Sequence, residues 1–210
     1  MNTKAGNLLI ISAPSGAGKT SLVHGVVKRM QNIAASISHT TRPRRPGETD
    51  GVDYFFITEP EFEKMIQEGE FLEYAQVFGN LYGTSRTQID RILDTGIDLL
   101  VELDWQGARS IRDIYPDTVS IFVMPPSEKA LRERLVARRM DQKEIIQQRM
   151  QAAMSEISHY REYEFLVIND DFERALQELC LIVGASRLKT ASQRKSLRQI
   201  LDRMASEDSV

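Results

Sequence analysis

The sequence contains one cysteine and no long hydrophobic run. A single thiol, Cys180, cannot form an internal disulfide, which excludes the class of small disulfide-stabilised secreted domains. Its apolar surroundings, LCLIVG, predict a buried structural thiol and fit a reducing compartment. The apolar run near the N-terminus is too short for a signal-peptide core, and no run reaches membrane-spanning length. We therefore expect a cytoplasmic protein without a membrane partner.

The sequence also lacks an excess of positive charge. Its 27 Lys and Arg residues are balanced by 30 Asp and Glu residues, for a formal net charge of −3. General nucleic-acid binding needs a strongly basic surface, so nucleic acid is excluded as the main partner. The 3 histidines, His24, His39 and His159, are scattered and lack metal-site spacing. With 210 residues, 41% of them hydrophobic, the chain can still bury a sizeable core.

Short apolar runs alternate with helical patterns, which is typical of α/β proteins with a largely parallel sheet. Strands are predicted near residues 7–13, 34–38, 97–103, 118–124 and 164–168. Helices are predicted over about 18–30, 106–114, 127–138, 142–158 and 171–187. Residues 39–84 interrupt the alternation with a Pro-, Gly- and charge-rich segment followed by closely spaced aromatic residues. We interpret them as an inserted, strand-rich lobe.

The stretch APSGAGKT follows the first predicted strand and resembles a phosphate-binding loop. It matches the pattern G-x-x-x-x-G-K-[ST] except at the first position, where Ala13 replaces glycine. Gly16 and Gly18 let backbone amides approach a polyphosphate, Lys19 can neutralise the β- and γ-phosphates, and the Thr20 hydroxyl can help to hold Mg²⁺. The alternative is an ordinary glycine-rich turn before a helix. The position between a strand and a helix favours the phosphate loop, with ATP or GTP as donor.

A second cluster of positive charge, SHTTRPRRPGE, begins the inserted lobe. Three arginines fall within four positions, and prolines restrict the backbone around them. Guanidinium groups bind phosphate bidentately, so a rigid pair such as Arg42 and Arg45 suits a monophosphate. The alternative is a solvated basic loop. The aromatic residues Tyr54 and Tyr82 downstream favour a nucleotide acceptor.

A carboxylate downstream can read the base of that acceptor. Glu73 can accept the N1–H and N2–H donors of guanine, while a hydroxyl from Ser38 or Thr84 reads the rest of that edge. Adenine would leave the carboxylate buried and unpaired, which is costly enough to reject the wrong base.

Two acidic residues, Glu102 and Asp104, end the third core strand. Strand alternation directs both to the crevice at the carboxyl end of the sheet, where such sheets bind ligands. One of them can steer Mg²⁺ through water, and Asp104 can contact guanine. Trp105 beside them is interpreted as local packing rather than as a platform for the base.

A third charged cluster lies in the later helices. Arg134 and Arg138 are four residues apart on one helical face, and Arg149 follows one helix later. These arginines can fold over a transferring phosphoryl group and neutralise its charge. The alternative is a salt-bridged surface helix. Past residue 188 the chain is basic, and apolar residues recur at helical spacing: Leu197, Ile200, Leu201 and Met204. They predict either a packing helix or a subunit-contact helix, and only the second implies a homo-oligomer; nucleic-acid binding is the weaker alternative.

In this order, APSGAGKT, SHTTRPRRPGE, DYFF, FLEYAQVFGNLYGT, ELDWQG and the later arginines resemble the guanylate kinase family over about residues 7–188. The resemblance implies ATP-dependent phosphorylation of GMP and dGMP. It implies an α/β P-loop kinase core with a parallel sheet, an inserted mixed α/β GMP-binding lobe and a helical lid. The corresponding ranges are 1–36, 85–126 and 160–188 for the core, 37–84 for the lobe, 127–159 for the lid, and 189–210 for a C-terminal helix or tail.

The resemblance also assigns roles by motif match. The ATP site comprises Ala13, Pro14, Ser15, Gly16, Ala17, Gly18, Lys19, Thr20 and Ser21, with Thr20 on Mg²⁺ and with Asn169 and Asp170 near the adenine. The GMP site comprises Ser38, Arg42, Arg45, Tyr54, Glu73, Tyr82, Thr84, Glu102 and Asp104. Catalysis depends on Lys19, Arg42, Arg134, Arg138 and Arg149. Two departures from the family pattern are Glu102, where Asp is more usual, and Arg139-Met140, which replace a glycine and its neighbour and indicate a stiffer lid.

Two other classes of protein share parts of this pattern. Non-catalytic guanylate-kinase-like domains bind phosphoprotein partners through the arginine loop, but they characteristically lose a working phosphate loop, whereas Lys19 and Thr20 are present here. A related small-molecule kinase, such as one acting on ribose 1,5-bisphosphate, should lack the guanine-reading residues.

Overall fold

The structure, a computed structural model, describes residues 6–77, 79–137 and 143–193, and residues 197, 200, 201 and 204. Its strands, in chain order, are β1 (Leu8–Ser12), β2 (Ile33–Ala35), β3 (His39–Thr40), β4 (Phe55–Phe56), β5 (Phe71–Val77), β6 (Asn80–Ser85), β7 (Asp98–Glu102), β8 (Val119–Met124) and β9 (Phe165–Ile168). Its α-helices are α1 (Lys19–Arg29), α2 (Glu59–Gln67), α3 (Arg86–Asp94), α4 (Trp105–Ile114), α5 (Glu128–Ala137), α6 (Lys143–Ser158) and α7 (Phe172–Ser186), and a 3-10 helix covers Tyr160–Glu162. Within these described ranges, no helix has the length and apolar character needed to cross a membrane.

The central sheet is parallel, with the strand order β2-β7-β1-β8-β9. All of β1 is buried, because one face of the sheet packs against α1 and α7 and the other against α3 and α4. Burial on both faces explains the continuous apolar runs of the sequence. The five predicted core strands are all present, although β2 ends at Ala35 rather than at residue 38. Cys180 of α7 packs against this core and is partly, not fully, buried.

A second, mixed sheet has the strand order β4-β3-β6-β5. β3 pairs parallel with β4 and antiparallel with β6, which also pairs antiparallel with β5. α2 packs on this sheet, where the rings of Phe62 and Phe71 stack with centroids 4.4 Å apart. Gly83 lies against both rings, and a Cβ there would come within 2.8 Å of Phe71. The parallel core with an inserted mixed α/β segment confirms the predicted fold class.

The sequence pattern does not predict α2 and α3. Both helices are fixed mainly by their first turns: the Thr58 hydroxyl and the Glu61 carboxylate cap each other's backbone N–H groups in α2, and Ser85 caps α3. Each helix fully buries a single residue, Phe62 in α2 and Ile89 in α3. Each also packs two partly buried apolar residues on the same face, Met65 and Ile66 in α2 and Ile92 and Leu93 in α3, so the apolar stripe is present but short.

α5 and α6 pack against each other through a small apolar core that includes Leu131, Leu135 and Met150. Residues 138–142 between the two helices lie outside the described residues. The predicted catalytic residue Arg138 and the interpretation of Arg139 and Met140 as a stiff hinge fall in that range and stay predictions.

Candidate active site

The carboxyl ends of β1, β7 and β9 meet at one edge of the central sheet. The segment 13–18 follows β1 and leads into α1, Glu102 ends β7, and Asn169 follows β9. β1 lies at the centre of the sheet, with β7 on one side and β8 on the other. Ligands of parallel α/β sheets bind at the crevice where the chain connections diverge from such a central strand. The fold thus gathers three of the predicted site segments at one edge.

The phosphate loop needs both of its glycines. Gly16 and Gly18 have φ values of 92° and 94°, a backbone region that side-chain-bearing residues rarely adopt. Space is short as well, because a Cβ at Gly16 would lie 3.0 Å from Leu135 of α5, and one at Gly18 would lie 2.5 Å from Nδ2 of Asn169. Alanine at either position would strain the backbone and displace a packed neighbour.

Two predicted site residues brace this loop from outside. Asn169 Nδ2 donates to the carbonyl of Ala17 at 2.7 Å. Arg134 donates to the same carbonyl at 3.4 Å and to the carbonyl of Asn169 at 2.8 Å. In this conformation Arg134 therefore positions the loop, and its predicted contact with a transferring phosphoryl group stays a prediction. Asp170 is exposed and ion-paired with Arg174.

Lys19 and Thr20 begin α1 directly behind the loop. Nζ of Lys19 donates to the carbonyl of Leu103 at 3.3 Å, and the Thr20 hydroxyl donates to the Glu102 carboxylate at 2.9 Å. A hydroxyl and a carboxylate side by side are hard oxygen donors that suit Mg²⁺ together with phosphate and water oxygens. Elsewhere in the described residues, no group of three or more His, Cys, Asp or Glu side chains could hold a metal ion. Glu102, despite replacing the more usual Asp, reaches the residue predicted to bind the metal.

The arginine loop presents Arg42 and leaves Arg45 exposed. The guanidinium of Arg42 pairs with Glu48 at 2.7 Å and lies 5.4 Å from the ring centroid of Tyr54. The Arg42 side chain is only 10% exposed. Glu48 also accepts from the backbone N–H of Arg45 at 2.8 Å, and the hydrogen bond from Arg42 lowers the pKa of its carboxyl. Glu48 thus fixes the predicted phosphate ligand, a role that the sequence reasoning missed although the residue belongs to the motif.

Tyr54 links the arginine loop to the edge of the central sheet. Its ring meets that of Tyr82 edge-on, with centroids 6.0 Å apart. Burial raises the pKa of the Tyr54 hydroxyl, and the negative charge of Glu102 raises it further. Tyr54, a predicted ligand of the acceptor phosphate, is therefore close enough to Glu102 for the charge of that carboxylate to act on it.

Glu73 of β5 is held in a largely buried position opposite the phosphate loop. Its carboxylate accepts from the Thr84 hydroxyl of β6 at 2.5 Å. Burial raises the pKa of Glu73 to about 7, against the opposing effect of the Thr84 hydrogen bond, and the charges of Asp104 and Lys19 also act on it. Asp104 accepts from the Gly107 N–H at 2.8 Å and so caps α4. The structure thus brings together three predicted base-reading residues, while Ser38, just before β3, holds β4 through its carbonyl.

The raised pKa of Glu73 predicts a pH dependence of stability. Between the unfolded value of 4.5 and about 7, the folded protein holds a proton that the unfolded chain has released. This contribution is fully present below about pH 4.5 and is lost as the pH rises through about 7, with a size on the order of 3 kcal/mol. In urea denaturation, the free energy of unfolding should therefore fall less from pH 5 to pH 8 for Glu73→Gln than for the wild type.

The control for this measurement is Glu63→Gln, which changes an exposed carboxylate of α2. For this variant, the free energy of unfolding should differ between pH 5 and pH 8 by the same amount as in the wild type. Equal differences for wild type, Glu63→Gln and Glu73→Gln would contradict the burial argument for Glu73.

The sequence reasoning also missed Glu156 of α6. Its atom Oε2 is buried and has no hydrogen-bond partner among the residues that the structure describes. Burial raises the pKa of Glu156, and the charges of Lys19 and Asp104 and the backbone amide of Ser15 also act on it. Glu156 follows the predicted catalytic residue Arg149 by two helical turns on the same face of α6, and that spacing is the signal that could have identified it.

The residues that follow α6 pack against the first turns of α4 next to this site. The rings of Trp105 and His159 stack with centroids 3.9 Å apart, and the guanidinium of Arg109 lies 4.7 Å from the centroid of the Trp105 ring. Glu162 binds both Arg109 and His159, and the hydrogen bond from Arg109 is the main cause that lowers its pKa to about 2. The interpretation of Trp105 as a packing residue agrees with these contacts.

Comparisons with known proteins place this geometry in a family. The family model described as guanylate kinase matches residues 5–186. The guanylate kinase of Coxiella burnetii is 53% identical over 195 residues, 93% of this chain and 95% of the relative, and that of Alcanivorax borkumensis is 56% identical over 188 residues, 90% and 91% of the two chains. The crystal structure of guanylate kinase from Anaplasma phagocytophilum superposes with a TM-score of 0.73 at 35% identity and covers 89% of each chain. A match of this extent, on a parallel sheet that carries the phosphate loop, shows that the chain belongs to the guanylate kinase family.

Proposed function

We propose that the protein transfers the γ-phosphoryl group of ATP to GMP or dGMP. The observation that carries this proposal is the placement of Glu73: it is pinned by Thr84 and lies within the electrostatic reach of Lys19 in the phosphate loop. A base-reading carboxylate so close to the donor-phosphate lysine sets a guanine nucleotide in front of the phosphoryl donor.

On the donor side, the loop from Ala13 to Ser21 binds the phosphates of ATP, and Asn169 and Asp170 lie toward the adenine. Thr20 and Glu102 would hold Mg²⁺, which when bound neutralises charge on the β- and γ-phosphates. Lys19 adds a positive charge on the side of the γ-phosphate. Arg134, Arg138 and Arg149 supply further positive charge from the proposed lid, residues 127–159.

On the acceptor side, Arg42, Arg45 and Tyr54 bind the phosphate of GMP within the proposed lobe, residues 37–84. The base is read by the remaining residues of the site, with Tyr82 lining the pocket: Ser38, Glu73, Thr84 and Asp104. An oxygen of the GMP phosphate attacks the γ-phosphorus while the bond from that phosphorus to the bridging oxygen breaks, and ADP leaves with the electron pair. The attacking oxygen is already anionic, so alignment and charge neutralisation replace a general base.

The test is an ADP-release assay with ATP and Mg²⁺ in which GMP, dGMP, AMP, CMP, UMP and ribose 1,5-bisphosphate are offered separately. Turnover restricted to GMP and dGMP is the expected result. Turnover with the sugar bisphosphate alone would keep the fold and overturn the base site. Tight GMP binding without turnover would instead indicate a binding module.

We further propose that the C-terminal helix contacts a second copy of the chain. Its apolar residues expose between 43% and 57% of their surface: Leu197, Ile200, Leu201 and Met204. Burying such a stripe between two copies would remove it from water. Sedimentation velocity should show an oligomer for the wild type and a smaller species for Leu201→Glu, and a monomeric wild type would contradict the proposal.

A further inference from the structure

Gly107 in the first turn of α4 contacts both of the acidic residues proposed to read guanine. Its backbone N–H donates to Oδ1 of Asp104 at 2.8 Å. Its Cα faces the carboxylate of Glu73: a Cβ at this position would lie 3.0 Å from Oε2, 3.1 Å from Cδ and 3.3 Å from Cγ of Glu73. Gly107 therefore holds the Asp104 carboxylate through a hydrogen bond from its amide. It also leaves space for the Glu73 carboxylate because it has no side chain.

The backbone does not require glycine at this position. Gly107 lies within α4 and has helical, not left-handed, geometry. Glycine in a helix is less favourable than alanine, because it loses more conformational freedom on folding. A residue that weakens its own helix needs another reason to be there, and the three nearest atoms that a Cβ would meet all belong to the side chain of Glu73.

Glu73 has little freedom to move away from an added methyl group. Its other oxygen accepts from the Thr84 hydroxyl at 2.5 Å, and the residue is largely buried. The open space nearby is a cavity of about 270 Å³, lined by β5 and by Gln106, Gly107 and Ser110 of α4. A methyl group at residue 107 would force the Glu73 side chain to shift by a few tenths of an ångström, away from its hydrogen-bonding position at Thr84 or toward this cavity.

We propose that Gly107 is a positioning residue for base selection: its amide anchors Asp104, and its bare Cα leaves Glu73 the room to meet the guanine edge. The inference rests on the proposed function, because it assigns Glu73 and Asp104 to that base. Its effect is confined to the acceptor base, since Gly107 touches neither the phosphate loop nor the arginine loop in the contacts described above.

The first test compares Gly107→Ala with Gly184→Ala in steady-state kinetics and thermal melting. Gly184 is a matched control, because it is a glycine within the helix α7 whose added Cβ would meet nothing within 4 Å. For Gly107→Ala we expect the KM for GMP to rise by about tenfold or more, as a displaced contact group predicts. The KM for ATP and kcat at saturating GMP should stay near wild type, and Gly184→Ala should change none of these values.

A second variant separates positioning from a general loss of folding. Shortening the carboxylate by Glu73→Asp relieves the clash, so Gly107→Ala in the Glu73→Asp background should raise the KM for GMP by much less than it does in the wild type. If Gly107→Ala alone melts early, the double variant should recover the melting temperature of Glu73→Asp.

The outcomes separate this inference from the proposed function. An active wild type with the same KM for GMP in Gly107→Ala and Gly184→Ala would overturn the role of Gly107 and leave the kinase assignment intact. Additive effects of Gly107→Ala and Glu73→Asp would also overturn it. A wild type without GMP-dependent ADP release would instead remove the proposed function on which it rests.

Discussion

Lys19→Ala should lower the rate of phosphoryl transfer by on the order of a hundred- to a thousandfold, with little change in GMP affinity. Nζ of Lys19 lies 3.3 Å from the carbonyl of Leu103, and its charge lowers the pKa of the carboxyl groups of Glu73 and Glu156. It is the compact positive charge of the donor site, and the γ-phosphoryl group gains most from it as the transition state forms. Stopped-assay kcat values and calorimetric titration with GMP measure the two effects separately.

The pH of this experiment matters. The charge of Lys19 lowers the pKa of Glu73, so its removal would keep more of the base-reading carboxyl protonated near neutral pH. Titrations at pH 8 avoid the loss of GMP affinity that protonation of Glu73 would cause. Lys28→Ala, at the exposed end of α1, removes the same charge away from the site and should leave kcat unchanged. Near-wild-type turnover of Lys19→Ala would contradict the assignment of the phosphate loop.

The parallel sheet could be predicted because its strands are buried on both faces. β1 reads as an apolar run up to Ser12 and β8 as one interrupted only by Ser120, and the helices between the core strands bury enough residues to leave a pattern. The mixed sheet leaves a weaker signal, since β3 and β4 have only 2 residues each and β3 pairs with β6 across a long stretch of sequence, whereas β5 and β6 form a local hairpin. The helices α2 and α3 leave a weak one, because each spans only 9 residues and fully buries only one of them.

The residues of the candidate site also fall into two groups, those that motifs in the sequence indicate and those that only the structure reveals. Motif spacing indicates the groups that are proposed to bind ligands, such as Lys19 and Glu73, because the proposed chemistry dictates the residue type. It does not identify the residues that hold those groups in place. Glu48 behind Arg42, Gly107 behind Glu73, and Glu156 facing Lys19 are brought there by the tertiary fold. Residue type alone does not distinguish them from a surface carboxylate or a helical glycine, although Glu48 lies in the arginine motif and Glu156 shares a helical face with Arg149.

Glu73→Gln should lower the preference for GMP over AMP by about a hundredfold, because an amide cannot accept both N1–H and N2–H of guanine as a carboxylate does. The Gln side chain would also donate toward the base, and the Thr84 hydroxyl at 2.5 Å would have to rotate to suit it. The loss should appear mainly in the KM for GMP. The kcat at saturating GMP depends on the phosphate side and should fall far less.

The same variant gives a second, independent readout in the pH profile. The pKa of Glu73 is about 7 in the free protein, and its ionised form is the one that accepts the guanine N–H groups. The KM for GMP should therefore fall by about tenfold between pH 6 and pH 8 in the wild type, beyond any change seen in Glu73→Gln. Using that variant as the baseline cancels the titration of the GMP phosphate, which is common to both proteins. Glu63→Gln should follow the wild type throughout. An unchanged preference over AMP together with an unchanged pH profile in Glu73→Gln would remove Glu73 from the base site, and the acceptor would then have to be sought among phosphates without a guanine edge.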